Sequence, residues 1–449
     1  MNRVAVIGGG LAGLAAAVAA SEQGFEVELF EARRRLGGRA GSFTDPQTGQ
    51  LVDHCQHVAM GCCTNWADFC RRTAIDDGFE RHERLWFVGP DARQYPFNAS
   101  PLPAPLHLFP SLLRLGYLSL AERWGIARVV MHLMRAERHA ASSFSSSSSS
   151  ASPRVLCGDK DHSPRRTKAD AEGTIGDWLR RHGQSERSIA RFWSVVLVSA
   201  LSESVDRASL AAARKVFRDG LLAHRRAYEL FLPRTALGEI YDRRIGAWLQ
   251  SRGVAVHLGE RVRGLDVDGA RATAIVRADG SRSRFDGFIV AIPWRGVRRL
   301  FSAAALERMP ELAGVDAIPA APIAAVHLWF DRPIMAQPHA VLVGRLAQWI
   351  FAQPEQGFYY QVVISAAHDL RHGGRDEILA RVRGEIETIW PAACEARLLR
   401  WRMVVEPMAV FSVQPGLEDL RPGQTTSLAN VALAGDWTRT GWPATMEGA

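Results

Sequence analysis

The chain contains 449 residues, of which 47% are hydrophobic and 23% are charged. This length exceeds what one hydrophobic core usually serves, so two domains, or two domains that interleave, are expected. The formal net charge of +8, from 55 Lys and Arg against 47 Asp and Glu, is compatible with an anionic membrane surface or an acidic ligand but is too diffuse to indicate a nucleic-acid-binding protein.

Cysteine usage and hydropathy indicate the compartment. Four of the six cysteines fall between Cys55 and Cys70, and Cys157 and Cys394 lie far from them, which is a poor disulfide framework. A reducing, cytoplasmic location is therefore expected. No stretch reaches the roughly 18 uncharged apolar residues of a spanning helix, so any membrane contact is expected to be peripheral, on the inner face of the membrane.

The first predicted elements are a strand, a glycine turn, a helix and a second strand. They comprise residues 3–7, 8–13 (GGGLAG), 14–22 and 25–30. Glu31 follows the second strand, where a carboxylate can accept hydrogen bonds from both ribose hydroxyls of an adenosine. The apolar start is also typical of a secretory signal peptide, but three consecutive glycines argue against that interpretation.

The glycines have separate functions in such a turn. Gly8 permits the tight turn, Gly10 lets a pyrophosphate approach the backbone, and Gly13 lets the helix pack on the strand. The helix N-terminus then faces the phosphates. Because strand, helix and acidic residue are in register, the pattern favours a dinucleotide site over a glycine-rich turn in an unrelated α/β protein.

The segment after the second strand indicates which dinucleotide is bound. It reads EARRRLGGRAGS over residues 31–42. This run resembles the opening of the flavin amine oxidase and phytoene desaturase superfamily, in which an E-A-x-x-x-x-G-G-R element follows the second strand and its arginine lies near the FAD pyrophosphate. A solvated surface arginine is the alternative interpretation of Arg39. The FAD contacts that the resemblance implies are Gly8, Gly10, Gly13, Glu31, Gly37, Gly38 and Arg39.

Histidines and cysteines crowd the segment LVDHCQHVAMGCC, residues 51–63. Their adjacent or alternate spacing, without a second pair downstream, disfavours a metal site. The resemblance implies that this segment runs beneath the flavin ring, with Asp53 as a structural anchor and with Gln56 and His57 directed at the isoalloxazine or the substrate cavity. Metal ligation and core packing of small cysteine side chains remain as alternatives, and no metal is expected.

A helical, apolar region broken by prolines is predicted from about residue 66 to 138. Within it, residues 105–139 combine five arginines with Leu, Phe, Trp and Val, which suits an interfacial membrane helix as well as a core helix with a solvated face. Residues 140–172 contain SSFSSSSSSAS and predict a mobile Ser-rich insert. Further helices are expected at residues 174–182, 185–200 and 208–223.

Strands dominate the prediction beyond residue 250. Asp-Gly pairs at 268–269 and 279–280 indicate hairpins. In the superfamily this block returns the chain to the FAD domain, and the residue matching Val262 contacts the adenine through its backbone. The predicted strands are residues 254–258, 261–267, 272–277, 285–292, 323–330 and 359–365.

Together these elements predict an α/β fold. A Rossmann-like FAD-binding domain of the glutathione reductase type interleaves with a substrate domain of mixed sheet and helices. The predicted FAD-binding domain comprises residues 1–75, 232–298 and 425–449. The predicted substrate domain comprises residues 76–231 and 299–424, with the insert at 140–172.

The chain ends with VALAGDWT at 431–438 and GWPATMEGA at 441–449. The resemblance implies that Gly435 and Asp436 lie at the ribityl or phosphate region of FAD, and that a helix opening near Met446 directs its positive end at the flavin N1/O2 edge. A capping or turn aspartate is the alternative for Asp436. Members of the superfamily carry a helix beyond this motif, so a fragment is suspected.

Within the superfamily, the chain most resembles the squalene-associated desaturase-like proteins, the hydroxysqualene dehydroxylases of hopanoid biosynthesis. The resemblance includes DHCQH at 53–57, LPR at 232–234 and HLWFD at 327–331. It implies an FAD-dependent enzyme that reductively dehydroxylates hydroxysqualene, an isoprenoid lipid, to squalene, with NADPH as the candidate external reductant. His57 is the candidate catalytic acid for the departing hydroxyl, and a structural histidine is the alternative.

Three other functions remain open from the sequence. A carotenoid or phytoene-type desaturase would use the same fold, with hydride leaving the substrate. An amine oxidase would need an aromatic cage and often a lysine near the flavin, and the only lysines are Lys160, Lys168 and Lys215. A non-catalytic lipid carrier would keep the flavin for structure alone. No nucleic-acid partner is expected, and the oligomeric state is not indicated.

Overall fold

The computed structural model describes residues 2–135, 173–353, 357–371 and 374–449. The predicted Ser-rich insert at 140–172 lies outside the described residues. The two largest sheets of the described part have five and seven strands, and the α/β fold class predicted from the sequence is confirmed.

The five-stranded sheet is parallel throughout and has Arg3–Ile7 at its centre. Its strands come from the beginning, the middle and the end of the chain, as the predicted interleaving requires. They are apolar over most of their length because helices cover parallel sheets on both faces, and Leu11–Glu22 is one such helix. The strand order is Ala255–Leu258, Glu26–Glu31, Arg3–Ile7, Gly287–Val290, Val431–Leu433.

Both predicted Asp-Gly hairpins are confirmed. Val262–Asp268, Arg271–Arg277 and Arg282–Arg284 form a three-stranded antiparallel sheet. Gly269 and Gly280 hold positive φ values of +56° and +84° at the two turns, a conformation that glycine adopts without strain.

The seven-stranded sheet is mixed. One pair of strands, Leu85–Val88 with His339–Leu342, is parallel, and the other neighbours are antiparallel. The order is Leu398–Phe411, Ala320–Phe330, Tyr359–Ser365, Trp349–Gln353, His339–Leu342, Leu85–Val88, Gln94–Phe97. Two small sheets pair Ser42–Thr44 with Leu51–Asp53, and Leu230–Pro233 with both Ala59–Met60 and Phe79–His82.

The helical prediction for residues 66–138 is wrong between residues 79 and 97, where the chain forms three strands. Short apolar runs do not distinguish a strand from a helix by periodicity alone. Here the choice is made by partners far along the chain, since Phe79–His82 pairs with Leu230–Pro233 and Leu85–Val88 pairs with His339–Leu342.

The two faces of the seven-stranded sheet have different environments because successive side chains point to opposite sides. Ala324, Val326 and Leu328 pack with the helix Arg375–Ile389 in one apolar cluster. Trp329 and Tyr359, on the opposite face, pack with Val52 of the small hairpin instead. We call this second side the inner face. It includes Phe351, Gln353, Tyr359, Gln361, His327 and Trp329.

The remaining helices lie mainly in the regions predicted to be helical. No helix of the described residues is long and apolar enough to span a membrane. The α-helices are Thr64–Arg72, Phe109–Leu113, Leu120–Arg135, Ile175–Arg181, Glu186–Ser188, Ser194–Leu201, Leu210–Lys215, Ile245–Ser251, Trp294–Val297, Ala303–Glu307, Arg375–Ile389 and Pro391–Glu395. Ile189–Trp193, Val216–Leu221 and Gly238–Arg244 are π-helical.

Candidate functional site

The turn after the strand Arg3–Ile7 excludes side chains at two of its glycines. Gly8 has φ +111°, and a Cβ there would lie 2.6 Å from Ala291 O. A Cβ on Gly13 would lie 1.8 Å from Gly8 O, so the helix packs directly on the turn. At Gly10 the nearest atom to a Cβ would be 3.9 Å away. This open position at the helix N-terminus suits a phosphate of a bound dinucleotide.

Glu31 ends the adjacent strand, and the backbone holds its carboxylate in place. Gly9 N–H donates to Oε2 at 2.7 Å, and Arg33 N–H donates to Oε1 at 2.8 Å. Each carboxylate oxygen has two lone pairs, so acceptor capacity remains for the ribose hydroxyls expected from the sequence.

Val262 begins a strand that lies beside this edge of the sheet. Gly259 N–H donates to Arg33 O, and Glu260 N–H donates to Glu31 O, which fixes the approach of the chain to Val262. The structure therefore brings Val262 to the side of the sheet where Glu31 ends its strand.

Gly37 and Gly38 pack against the first glycine turn. Both have positive φ values, +94° and +60°, and Gly37 N–H donates to Gly9 O at 2.8 Å. A Cβ on Gly38 would lie 2.9 Å from Gly10 Cα. Only glycines allow the two backbone segments to approach this closely, and the two predicted contact elements form one surface.

Arg39 and Asp436 join the two ends of the chain. Arg39 Nη2 lies 2.6 Å from Asp436 Oδ1, and Arg39 Nη1 donates to Ala409 O at 2.8 Å. Asp436 is buried and follows Gly435, which has φ +135° at the end of the last parallel strand. Arg39 is exposed to solvent and is nevertheless held by two specific partners.

The loop around Asp436 is held by a buried arginine that the sequence did not suggest. Arg421 Nη2 donates to the carbonyl oxygens of Asp436, Thr438 and Trp442 at 2.9, 2.5 and 3.0 Å. A single guanidinium thus fixes the backbone from Asp436 to Trp442. The only local partner of Arg421 in the described chain is Glu418 at 2.6 Å, and the carbonyl partners lie up to 21 residues away, so no local pattern marks this role.

The last residues of the chain stabilise a helix near the N-terminus. Glu447 accepts hydrogen bonds from Asn65 N–H at 3.1 Å and Trp66 N–H at 3.0 Å. These groups belong to the first turn of Thr64–Arg72, where the N-cap Cys63 makes no side-chain cap. A carboxylate at this position satisfies free N–H groups and interacts favourably with the helix dipole.

Met446 lies in a single 3₁₀ turn, Met446–Gly448, where the sequence suggested the opening of a helix. Tyr241 OH lies 3.7 Å from Met446 Sδ and also accepts a hydrogen bond from Trp66 Nε1 at 2.9 Å. The Met446 side chain is therefore positioned by two buried aromatic residues of the chain.

Asp53 is an anchor, as predicted. Its Oδ1 accepts hydrogen bonds from Ser42 Oγ at 2.5 Å and from Leu237 N–H at 2.8 Å. Burial raises the pKa of Asp53 to about 7, although both hydrogen bonds act in the opposite direction. The carboxyl group ties the small hairpin to the chain segment that leads into Gly238–Arg244.

Gln56 contacts the inner face, and His57 follows it in the chain. Gln353 Nε2 donates to Gln56 Oε1 at 2.5 Å. His57 Nδ1 lies 2.9 Å from Cys55 O, so Nδ1 carries the proton and Nε2 is left as an acceptor. Burial lowers the pKa of His57, and the charge of Arg39 acts in the same direction. The imidazole is therefore neutral at neutral pH.

The cysteines of this segment lie in apolar surroundings. Cys62, Cys63 and Cys70 are buried, and burial raises the pKa of both Cys55 and Cys70 to about 12. A cysteine side chain binds a metal ion as the thiolate. Among the described residues, no group of three or more His, Cys, Asp or Glu side chains could hold a metal ion.

These contacts fit a flavin dinucleotide. In parallel α/β sheets, ligands bind outside the carboxyl ends of the strands, and the predicted residues gather at that edge. A bound dinucleotide could place a phosphate at the open position of Gly10, a ribose at the remaining lone pairs of Glu31 and a charged group beside the Arg39–Asp436 pair. The residues gathered here are Gly8, Gly10, Gly13, Glu31, Gly37, Gly38, Arg39, Gly435 and Asp436.

Comparison with known proteins identifies the family. The model of a family described as "Flavin containing amine oxidoreductase" matches residues 11–449. A protein named hydroxysqualene dehydroxylase from Sinorhizobium fredii is 27% identical, with 100% of this chain and 95% of that protein covered. A probable zeta-carotene desaturase from Synechococcus elongatus is 23% identical, with 100% and 96% covered.

The fold is shared with solved structures. Cyclohexylamine oxidase from Brevibacterium oxydans superposes with a TM-score of 0.68 at 15% identity, covering 100% of this chain and 96% of that chain. This likeness confirms the predicted flavin amine oxidase type of fold.

Proposed function

Because the chain belongs to the family of flavin-containing amine oxidoreductases, we propose that this flavin-dependent oxidoreductase removes the hydroxyl group of hydroxysqualene to give squalene. The observation that carries the proposal is similarity over the whole chain to a protein named hydroxysqualene dehydroxylase. The cofactor we propose is FAD, held by the glycine turns, Glu31, Val262, Arg39, Asp436 and Met446.

The proposed reaction is a two-electron reduction. The carbon–oxygen bond of the alcohol breaks, a carbon–hydrogen bond forms, and the hydroxyl leaves as water after gaining a proton. Reduced flavin supplies hydride in such reactions, and NADPH is the proposed external reductant. The protein must hold the allylic carbon in place and exclude water that would recapture a cation.

His57 is the proposed proton donor to the departing hydroxyl. Its lowered pKa leaves it neutral at neutral pH, and its Nδ1 proton is engaged by Cys55 O. His57 can therefore act as the acid only when its imidazole is protonated, which requires a pH below neutrality. We expect turnover to increase as the pH falls below neutrality and to lose that increase in His57→Gln.

A carotenoid or phytoene-type desaturase is the second candidate, and it is favoured by the full-length similarity to a probable zeta-carotene desaturase. The flavin held by the same fold would then accept hydride from a polyene. An amine oxidase is less well supported, since the single described lysine, Lys215, pairs with Asp219 at 2.9 Å and lies 4.2 Å from the ring centroid of Trp442.

Product analysis separates the candidates. Flavin-loaded protein should be incubated anaerobically with hydroxysqualene and NADPH, and the lipid extract should contain squalene. In parallel, oxidised protein with phytoene or zeta-carotene should give no new absorbance from extended conjugation. Conjugated products without squalene would replace the dehydroxylase proposal with the desaturase.

We also propose peripheral contact with the inner face of the cytoplasmic membrane, where an isoprenoid lipid is dissolved. Four of the large apolar side chains exposed in the described residues lie close in sequence: Leu102, Leu106, Leu120 and Trp124. The exposed arginines Arg114 and Arg128 lie in the same region, and apolar and basic groups together suit an anionic lipid surface.

A further inference from the structure

Three buried glutamines are grouped where the inner face meets the segment of His57. Gln361 is 2% exposed, Gln56 is 7% exposed and Gln353 is 9% exposed. Glutamine is mostly found at the surface of proteins. Three buried glutamine amides in one region therefore indicate a binding role.

Strand register places Gln361 at the centre of the inner face. Its direct cross-strand partners are Phe351 on one side and His327 on the other. Gln353 lies two residues beyond Phe351 on the same face, and it donates to Gln56 Oε1. Gln361 and Gln353 are thus diagonal neighbours on the inner face, and the Gln353–Gln56 hydrogen bond connects this face to the segment of His57.

Aromatic pairs flank this polar region. Trp349 and Phe351 stack with their centroids 5.3 Å apart and an interplanar angle of 1°. Trp329 and Tyr359 stack at 4.6 Å and 8° on the other side. Arg400 lies over the Trp329 ring at 3.7 Å, so of the two pairs Trp349–Phe351 is the one that can contact an extended apolar chain.

The Gln361 side chain has an unpaired buried oxygen. Oε1 is inaccessible to solvent and has no hydrogen-bond partner among the described residues. An unpaired buried acceptor costs about 1–3 kcal/mol, and native proteins rarely retain one without a function. A hydrogen-bond donor on a ligand would satisfy this oxygen.

We propose that Gln361, positioned beside Gln353 and Gln56, binds the hydroxyl group of a long-chain allylic alcohol and makes the protein select the alcohol over the corresponding hydrocarbon. The alcohol O–H donates to Oε1, and the alcohol oxygen accepts from the amide N–H. The Trp349–Phe351 pair contacts the isoprenoid chain beside it. This inference rests on the proposed dehydroxylation and names the residue that recognises the group to be removed.

The selection also explains product release. A hydrocarbon product lacks the hydroxyl, so its presence leaves Gln361 Oε1 unpaired again. A site built to hydrogen-bond a hydroxyl rejects an analogue without it because the buried polar group is left without a partner. Loss of the hydroxyl therefore weakens the binding of the product relative to the substrate.

The test measures binding without turnover. Oxidised, flavin-loaded protein without reductant should be titrated with hydroxysqualene, with squalene and with the methyl ether of hydroxysqualene, following the flavin absorbance. The wild type should bind the alcohol about tenfold more tightly than the hydrocarbon, since one net hydrogen bond is worth about 1 kcal/mol or more. The ether has no O–H donor for Gln361 Oε1, so it should bind more weakly than the alcohol.

The variant Gln361→Met conserves side-chain volume without the amide. It should lose about tenfold in alcohol affinity and keep its squalene affinity within about twofold. Gln250→Met, at an exposed position, is the matched control and should behave as the wild type. Flavin content and melting temperature report whether each variant is folded, and the ether titration on the wild type needs no variant.

The outcomes separate this inference from the proposed function. Equal affinity of the wild type for alcohol, ether and hydrocarbon overturns the hydroxyl site, as does an alcohol preference retained in folded Gln361→Met. If the preference is present but reductant yields no squalene, dehydroxylation fails and the hydroxyl site stands. If squalene forms without any preference, only the hydroxyl site fails.

Discussion

The protonation of Asp53 makes the stability of the fold depend on pH. Burial raises its pKa to about 7 from an ordinary value of 3.8. The native protein therefore holds this proton between about pH 4 and 7, where the unfolded chain has released it. The resulting stability is complete below the unfolded pKa and is lost as the pH rises through the folded pKa.

Asp53→Asn should remove this dependence, because an amide does not titrate and its oxygen can still accept from Ser42 and Leu237. Between pH 5 and 7, the free energy of unfolding of the wild type should fall by up to about 1.4 kcal/mol per pH unit more than that of the variant. Urea unfolding at pH 5, 6, 7 and 8 measures both profiles. Parallel profiles would show that Asp53 titrates normally.

Glu31 should contribute to flavin affinity. Glu31→Ala removes an acceptor for the ribose and for two backbone N–H groups, so flavin affinity should fall by roughly tenfold to a hundredfold, corresponding to about 1–3 kcal/mol. Glu31→Gln keeps one acceptor oxygen and should lose less. Titration of flavin-free protein measures the dissociation constants, and unchanged affinity in Glu31→Ala would refute the assignment.

At the level of elements, the helix Thr64–Arg72 depends on a residue from the other end of the chain. Glu447→Ala leaves Asn65 N–H and Trp66 N–H without the carboxylate, so we expect a loss of about 0.5–2 kcal/mol in the free energy of unfolding, as for other lost helix caps. Chemical denaturation measures it. Glu395→Ala, at an exposed position, is the control, and equal stability of the two variants would contradict the capping role.

The helix Leu120–Arg135 and the loop before it should mediate membrane binding. Leu120 is 66% exposed and Trp124 is 60% exposed, and burial of apolar area in lipid stabilises the bound state. Flotation with anionic vesicles should recover the wild type at low salt and less of it at high salt. Leu120→Gln with Trp124→Gln should reduce recovery.

Leu399→Gln provides the matched control for that experiment, because Leu399 is 55% exposed on a different element, the strand Leu398–Phe411. It should float as the wild type does. Failure of the wild type to bind at low salt would favour the alternative, a core helix with a solvated face.

At the scale of the whole molecule, the proposed flavin site joins segments that are distant in the chain. Arg39 and Asp436 are 397 residues apart, and the five-stranded sheet takes strands from three stretches of sequence. A ligand that contacts both the N-terminal and the C-terminal segments binds only the folded chain. We therefore expect removal of the flavin to destabilise the contacts between these two segments.

Flavin-free protein should be less stable than the loaded form, by about 2.7 kcal/mol where free flavin is at a hundred times its dissociation constant. Hydrogen exchange should increase at residues 37–41 and 434–438. It should stay the same in the strand Tyr359–Ser365, which belongs to the seven-stranded sheet. Thermal melts and hydrogen exchange of both forms provide the comparison, and equal exchange at the two glycine segments would contradict the predicted site.

Sequence alone determined the features that depend on local geometry. The glycine turn at residues 8–13 and the two Asp-Gly hairpins were predicted because positive φ and close backbone approach require glycine at particular positions. Strands such as Tyr359–Ser365 and helices such as Ile175–Arg181 were predicted from the periodicity of their hydrophobic residues. The family resemblance supplied the flavin and the interleaved fold.

The tertiary structure decided what depends on distant partners. Residues 79–97 are strands because they pair with strands about 150 and 250 residues later in the chain, and His339–Leu342, Trp349–Gln353 and Leu398–Phe411 were not predicted at all. The buried positions of Arg421 and Gln361 and the cap by Glu447 have no local pattern. Their energies arise from desolvation and hydrogen bonding among groups that only the folded chain brings together, and a linear pattern does not contain those distances.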